Sequence, residues 1–383
     1  MATIAESHFP FLPATFFPHS LLALPILFLL LSLFLIRNRR PTLHLPPGPK
    51  PWPILGNLLH VGSMPHVAFA RLSQAHGPLI SLRLGTQTVV VGSTPEAASE
   101  ILKTHDHDLS GRSVPHVSFA RDPELNHDSI AWSTHCTDHW RSLRSMVRAE
   151  LFTSRAIEQQ SDLREKHARE MARFLNRKRG QEMLAAVSDT TSASMEWALA
   201  ELLKNPDTMT AARREFDGKF PEGHVIKESD LADLPYLCAC VKETLRLHPP
   251  APLLLPRRAA KDCHVMGYTV PQGAHVFVNV WAIGRDPRYW EDASSFKPER
   301  FMVGDVDFKG SHFEFLPFGS GRRICSGLPM AVREIQLAVA TLVHGFDWSL
   351  PEGTAAGDLE MEERYGVTLK KLNPLVLFPT PRV

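Results

Sequence analysis

The residues best suited to chemistry lie between Phe315 and Met330. Gly319, Gly321 and Gly327 surround Cys325, Arg322 and Arg323 come just before it, and a segment with helical apolar spacing runs on to His344. Glycines permit a tight turn whose backbone amides can point at a sulfur, and a helix starting just beyond adds its positive end. With arginine charge nearby, such a setting favours a thiolate, a soft metal ligand as well as a nucleophile. From these residues alone, a buried free cysteine in a glycine-rich loop remains an alternative. A phosphate-binding loop fits less well, because Ile324 stands where a third glycine is needed and no suitable strand runs into the loop.

The other four cysteines, Cys136, Cys238, Cys240 and Cys263, form no regular framework, and an odd total of five leaves at least one unpaired. Cys238 and Cys240 fall within a segment of helical character, where their side chains diverge; they read as core residues. Glu243 and Arg246 stand three apart on that helix and by themselves could form an exposed pair. Charge narrows the partners. A net charge of +1 over 383 residues gives no broad basic field for nucleic acid.

The elements that must position these groups begin with an amino-terminal apolar run. Residues 20–36 carry no charge and are followed by Arg37, Arg39 and Arg40. As a helix the run would reach about 24 Å, slightly short of a hydrocarbon core. Glu6 and the lack of a basic residue ahead of the run speak against a cleaved signal, so it is expected to be a transmembrane anchor with residues 1–19 luminal. Basic residues on its carboxyl side keep that side cytosolic, in accord with the unpaired cysteines. Residues 37–53, basic and then proline-rich, are expected to form a stiff hinge, with the globular domain over 54–383. Within it, residues 80–91 with Gly85 at their centre suggest a hairpin. Helices are expected over 95–103, 138–150, 161–179, 182–204, 234–248 and 330–344. Short strands are expected near 264–270, 275–280 and 375–378, so the fold is mainly α with small β-sheets.

Phe318, Gly321, Arg323, Cys325 and Gly327 occupy the fixed positions of the haem-binding signature of cytochromes P450, and the chain is identified on them as a member resembling the plant microsomal branch. The resemblance runs over nearly the whole chain. It implies that Cys325 is the axial ligand of haem b, iron protoporphyrin IX, and that Glu243, Arg246 and Arg300 form a buried charged network. It also implies that Trp140, Arg144, Arg257 and Arg323 bind the haem propionates, with Phe318 beside the cofactor. Asp189 and Thr190 resemble the acid and hydroxyl that deliver protons during oxygen activation, in a helix bent there by its hydroxyl residue. Val117, Ala186, Leu253, Leu254 and Val367 would line the substrate pocket.

The implied protein is a membrane-anchored monooxygenase of the endoplasmic reticulum. It would hydroxylate or oxidatively couple a small apolar plant metabolite, with electrons from NADPH through cytochrome P450 reductase, which would dock on the face carrying Arg141 and Arg148. Around Cys136 to Trp140 the sequence resembles members acting on monoterpenoids or benzylisoquinoline alkaloids. Two departures stand out. Val187 occupies a position that is glycine in the family pattern. Between about 174 and 189 there is also no sequence for several helices that roof the pocket, which raises the alternative of a shortened, non-catalytic P450-like membrane protein.

Overall fold

The computed structural model describes residues 25–31, 43–114, 129–181, 183–185, 190–221 and 223–382, and the side chains of 183–185 are outside that description. The chain divides into two units, residues 1–44 and 45–383. In the first, residues 25–31 are helical; the remainder of the expected anchor lies outside the described residues. Among the described residues no helix is long and apolar enough to cross a membrane.

The second unit starts with the proline-rich stretch, which differs from the expected free-standing hinge. Ser81 donates its backbone N–H to the carbonyl of Pro47 at 2.9 Å and its hydroxyl to that of Pro46 at 2.6 Å. From Leu45 on, the stretch therefore lies along the globule. Prolines have carbonyls but no N–H, so they can serve a strand edge only as acceptors.

That edge belongs to β1 (Leu79–Leu84), paired antiparallel with β2 (Gln87–Gly92) as the alternating residues predict. Gly85 takes φ 59° in the turn between them, an angle that glycine adopts without a Cβ clash. With β3 (Gly111–Arg112), β5 (Arg257–Arg258) and β6 (His275–Val278) these strands make a five-stranded sheet in the order β1-β2-β6-β5-β3. The expected strand near 264–270 is a hairpin of Cys263–Val265 and Tyr268–Val270. Helix expected over 95–103 is regular only to Ser99 and then widens into a π-helix over Glu100–Thr104.

Among the described residues, the helical part is built from α1 (Asp138–Glu150), α2 (Ser161–Arg177), α3 (Thr190–Lys204), α4 (Pro206–Asp217), α5 (Pro235–Leu247) and α6 (Leu328–Gly345). Here α6 packs on α2, α3, α4 and α5 around Leu202, Phe216, Leu237 and Val343. Apolar spacing near 3.6 makes α1, α2, α5, α6 and most of α3 legible in the sequence, whereas α4 was not among the expected helices. The expected helix over 182–204 is corrected. Met183–Ala185 is a strand, β4, pairing with Leu375–Leu377 of β8 (Leu375–Pro381), whose far end pairs with β7 (Phe346–Ser349). A free edge on β8 supplies backbone partners that a short run of Met, Leu and Ala can use as readily as a helix, so tertiary pairing decides. The described part of α3 starts at Thr190, whose carbonyl accepts from Ser194 Oγ at 2.9 Å; residues 186–189 before it lie outside the described residues.

Candidate active site

The loop before α6 is built around its glycines. Gly319 and Gly321 both take φ 71°. At Gly321 a Cβ would stand 2.2 Å from the carbonyl oxygen of Leu102, so no larger residue fits without moving backbone. Cys325 donates its N–H to the carbonyl of Phe318 at 3.0 Å, which closes the loop, and Gly327 caps α6. Backbone N–H groups of Gly327 and Leu328 point at the sulfur.

Burial pushes the Cys325 thiol up, while those two amides and Arg144 pull it down by less. The groups expected to stabilise a thiolate are therefore present around the sulfur, with burial opposing them. A coordinating metal ion supplies the missing charge and deprotonates the thiol on binding. Although protein packs densely around it, Cys325 remains accessible, because it borders two cavities.

One cavity, of about 430 Å³, also touches Arg144, Arg323, Phe318, Thr190 and Leu254. Its size is in the ordinary range for cofactor sites. The other, about 750 Å³, opens on the α1 side beside Arg148, Phe152 and Arg333. Val367 also borders the first cavity, yet 93% of it is exposed, so the cavity is open on that side. Leu253 is corrected from pocket lining to core: it is buried among Phe69, Ile80 and Val91 under the sheet. Leu254 reaches the cavity instead, from a backbone at φ 52° that turns consecutive side chains to different sides. Val117, Ala186, Val187 and Asp189 lie outside the described residues.

Four arginines converge on this cavity. Arg323 donates to the carbonyls of Ser110, Ile130 and Ser133 at 3.0, 3.0 and 2.7 Å. Arg257 pairs with Asp106 at 2.8 Å, and Arg144 donates to the carbonyl of Ile324. Arg112, which the sequence gave no reason to single out, donates to the carbonyl of Leu255 at 2.6 Å. Its only local mark is Gly111, whose missing Cβ lets β3 approach Arg258 closely. Burial, then the charges of Arg257, Arg323 and Arg144, push the Arg112 guanidinium well below its ordinary value. Trp140 is also buried, but its indole N–H donates to the carbonyl of Ile130 at 3.0 Å, with the Arg323 guanidinium 4.4 Å from its ring centre. It therefore orients Arg323 through its ring and is not poised as a propionate donor, because its single donor is already used.

Among the described residues, Asp106 is the only carboxylate ion-paired within this cluster, so positive charge exceeds negative in a buried place. Such an excess calls for an anion. A flat apolar group with two carboxylates and a metal that takes a thiolate satisfies both ends of the cavity, and haem has that chemistry.

Behind the loop, Glu243, Arg246 and Arg300 come together. Arg246 grips Glu243 with two bonds of 2.7 Å, and Arg300 donates to the same carboxylate at 2.9 Å. Lys297 adds a backbone N–H at 2.8 Å, and Arg246 also donates to the carbonyls of Ala293 and Ser295. Glu243 and Arg246 are fully buried, the condition under which an ion pair must have every lone pair and proton matched. Cys240 is buried in the core beside them, and burial pushes the thiol of Cys238 up to about 11.

Comparison with known proteins agrees with this geometry. A family model described as Cytochrome P450 matches residues 46–183 and 180–378. The chain is 40% identical to "Probable (S)-N-methylcoclaurine 3'-hydroxylase isozyme 2" of Coptis japonica, over 91% of this chain and 96% of that one. It is 36% identical to "Corytuberine synthase" of the same plant, over 88% and 94%. The first alignment occupies 472 positions, more than the 383 residues of this chain, so this relative has sequence with no counterpart here. A zebrafish cytochrome P450 solved with abiraterone shares the fold at a TM-score of 0.72 with 22% identity, covering 84% of this chain and all of that one. A cysteine loop with its amides on the sulfur, an arginine nest awaiting two carboxylates and a family match along nearly the whole globule have one explanation: the chain belongs to the cytochrome P450 family of haem-dependent monooxygenases, which receive their electrons from a reductase.

Proposed function

We propose that this chain hydroxylates or oxidatively couples a small apolar plant metabolite of the benzylisoquinoline kind, as the names of its relatives suggest. The observation that carries the reading is the cavity shared by Cys325 and the arginines, polar at one end and apolar at the other. Haem bound there supplies the oxygen-activating chemistry, with a cysteine ligand favouring O–O cleavage. Cys325 would ligate the metal of that group, Arg144, Arg257, Arg323 and Arg112 would hold its carboxylates, and Trp140 keeps Arg323 in place. Thr190, which lines the same cavity, and Asp189 before it would deliver protons to that chemistry. Phe318 and Leu254 keep the interior dry.

Membrane attachment through residues 20–36, with the globule on the cytosolic side of the endoplasmic reticulum, is part of the same proposal, supported by the apolar run and the arginines after it. The electron donor docks on the outer face of α1, where Arg141 and Arg148 are exposed on the helix that also carries Arg144. Internal shortening near 174–189 fits the break in the family match at 180–183.

A second reading, a haem protein that does not turn over, is favoured by the exposure of Val367. The carbon monoxide difference spectrum of the reduced full chain, followed by product analysis with reductase and NADPH, separates them. A thiolate-type band with product supports the first reading; a band without product supports the second; no band in folded protein refutes both.

A further inference from the structure

Helix α6 begins at the cysteine loop, and its 18 residues carry it about 25 Å away from that loop. At the far end, between α2, the chain after α4 and the end of β8, lies a separate cavity of about 380 Å³. Ala172, Phe220, Phe346 and Pro381 give it an apolar wall, and His344 and Arg382 face the same space.

The polar groups of this wall are held in place but lack acceptors. Arg382 Nη1 and His344 Nδ1 are buried and have no hydrogen-bond partner among the described residues. The same is true of Arg213 Nε beside the cavity, although the Arg213 guanidinium donates to the carbonyl of Phe346 at 3.0 Å. Arg382 is fixed by its backbone N–H, which donates to the carbonyl of Gly345 at 2.9 Å, and the His344 ring stacks on Phe216 at 5.1 Å. Buried donors are matched almost everywhere in a folded protein, so orphaned ones gathered at a single cavity call for an acceptor that enters it.

Like charge crowds the same place. Burial pushes the Arg213 guanidinium down; Asp347 opposes that and Arg382 reinforces it. Burial also pushes the His344 imidazole down, against the backbone of His224, with the charges of Arg382 and His224 reinforcing it. Asp217 and Asp347 reach Arg382 and Arg213 at 3.5 and 2.9 Å, but their side chains are 60% and 56% exposed, so water screens them. They sit on the rim and leave the inner donors unmet.

The acceptor must also suit the wall. Water or a bare inorganic anion would meet the donors and leave Phe220 and Phe346 wet; an uncharged arene would do the reverse. We propose that this cavity is a binding site for a small aromatic carboxylate, separate from the haem and its substrate. The ring lies against Phe220 and Phe346, and the carboxylate accepts from Arg382 Nη1 and His344 Nδ1.

The test titrates the full chain calorimetrically with benzoate, and with benzamide and inorganic phosphate for comparison. Benzoate should saturate one site, with benzamide and phosphate at least about tenfold weaker. Arg382→Gln and His344→Leu should each weaken benzoate by about tenfold at an unchanged melting temperature, and Arg382→Lys by less. Arg112→Leu should bind benzoate as the parent does, because the haem-side arginines lie at the other end of α6. Photolysis of 4-azidobenzoate on the parent chain should label the peptides carrying Phe220 or Phe346, a result that requires no variant to fold. Absence of benzoate binding, equal binding of benzamide, affinity untouched by both variants, or label confined to peptides around Arg323 would overturn the proposal. None of these readouts requires haem, so a chain lacking the carbon monoxide band still answers the question, and the two readings fail separately.

Discussion

Arg112 shows how much a single buried cation can reveal. It is surrounded by three other arginines, is satisfied only by carbonyl groups, and is pushed down by burial and like charge. A site of this kind is stable when an anion arrives, so Arg112→Leu should fold at least as well as the parent yet release haem more readily. The expected loss in haem affinity is about tenfold, the scale of one charge-assisted hydrogen bond, read by transfer to apomyoglobin. Glu363 offers the complementary case of a buried anion. His66 and His248 reach it at 3.2 and 3.3 Å, Arg285 at 3.2 Å and the Trp281 indole at 3.0 Å. These partners outweigh burial and hold the carboxyl far below the ordinary glutamate range. A depressed folded value means that the contribution is fully present above the unfolded value and is lost as pH falls through the folded one. Glu363→Gln should therefore cost about 2–4 kcal/mol at neutral pH. That gap should narrow as the buffer is taken below the ordinary glutamate pKa, measured by denaturant unfolding across the acid range.

At the level of elements, the cysteine loop and the β1–β2 turn both depend on glycine, for different reasons. Gly85 has a left-handed φ but open space around its Cβ position; Gly321 has the same kind of φ and a carbonyl 2.2 Å away. Gly85→Ala should thus cost only the backbone term, about 1 kcal/mol. Gly321→Ala should cost about 2–4 kcal/mol, because strain and overpacking add, and should also move Cys325 and abolish the thiolate-type carbon monoxide band. Thermal melts and reduced spectra of the two variants side by side give the comparison.

For the whole molecule, the open side of the cavity is the decisive feature. Val367 is almost fully exposed, so nothing among the described residues closes the space above the loop on that side. An enclosed pocket selects ligands by size, whereas an open one does not. Spectral titration with imidazole and with bulky phenyl-substituted azoles should give affinities within about tenfold of each other, as expected where no wall discriminates. A preference of several hundredfold would show that the cavity is closed in solution.

The cysteine loop, the helices α1, α2, α5 and α6 and the first hairpin could be read from the sequence because each is fixed locally, by glycine conformation, by 3.6-residue spacing or by strand alternation. Glu243 with Arg246 was legible as a pair by spacing, but its burial was not, since burial depends on the segment around Arg300 folding back over it. Three things were decided only in three dimensions. Met183–Ala185 became a strand because β8 offered an edge; Leu253 entered the core and Leu254 the cavity because a left-handed backbone separates them; and Arg112 joined Arg144, Arg257 and Arg323 because four distant stretches converge on one cavity. Local rules act over a few residues, while the charge balance of a buried site is the sum over every chain segment that reaches it.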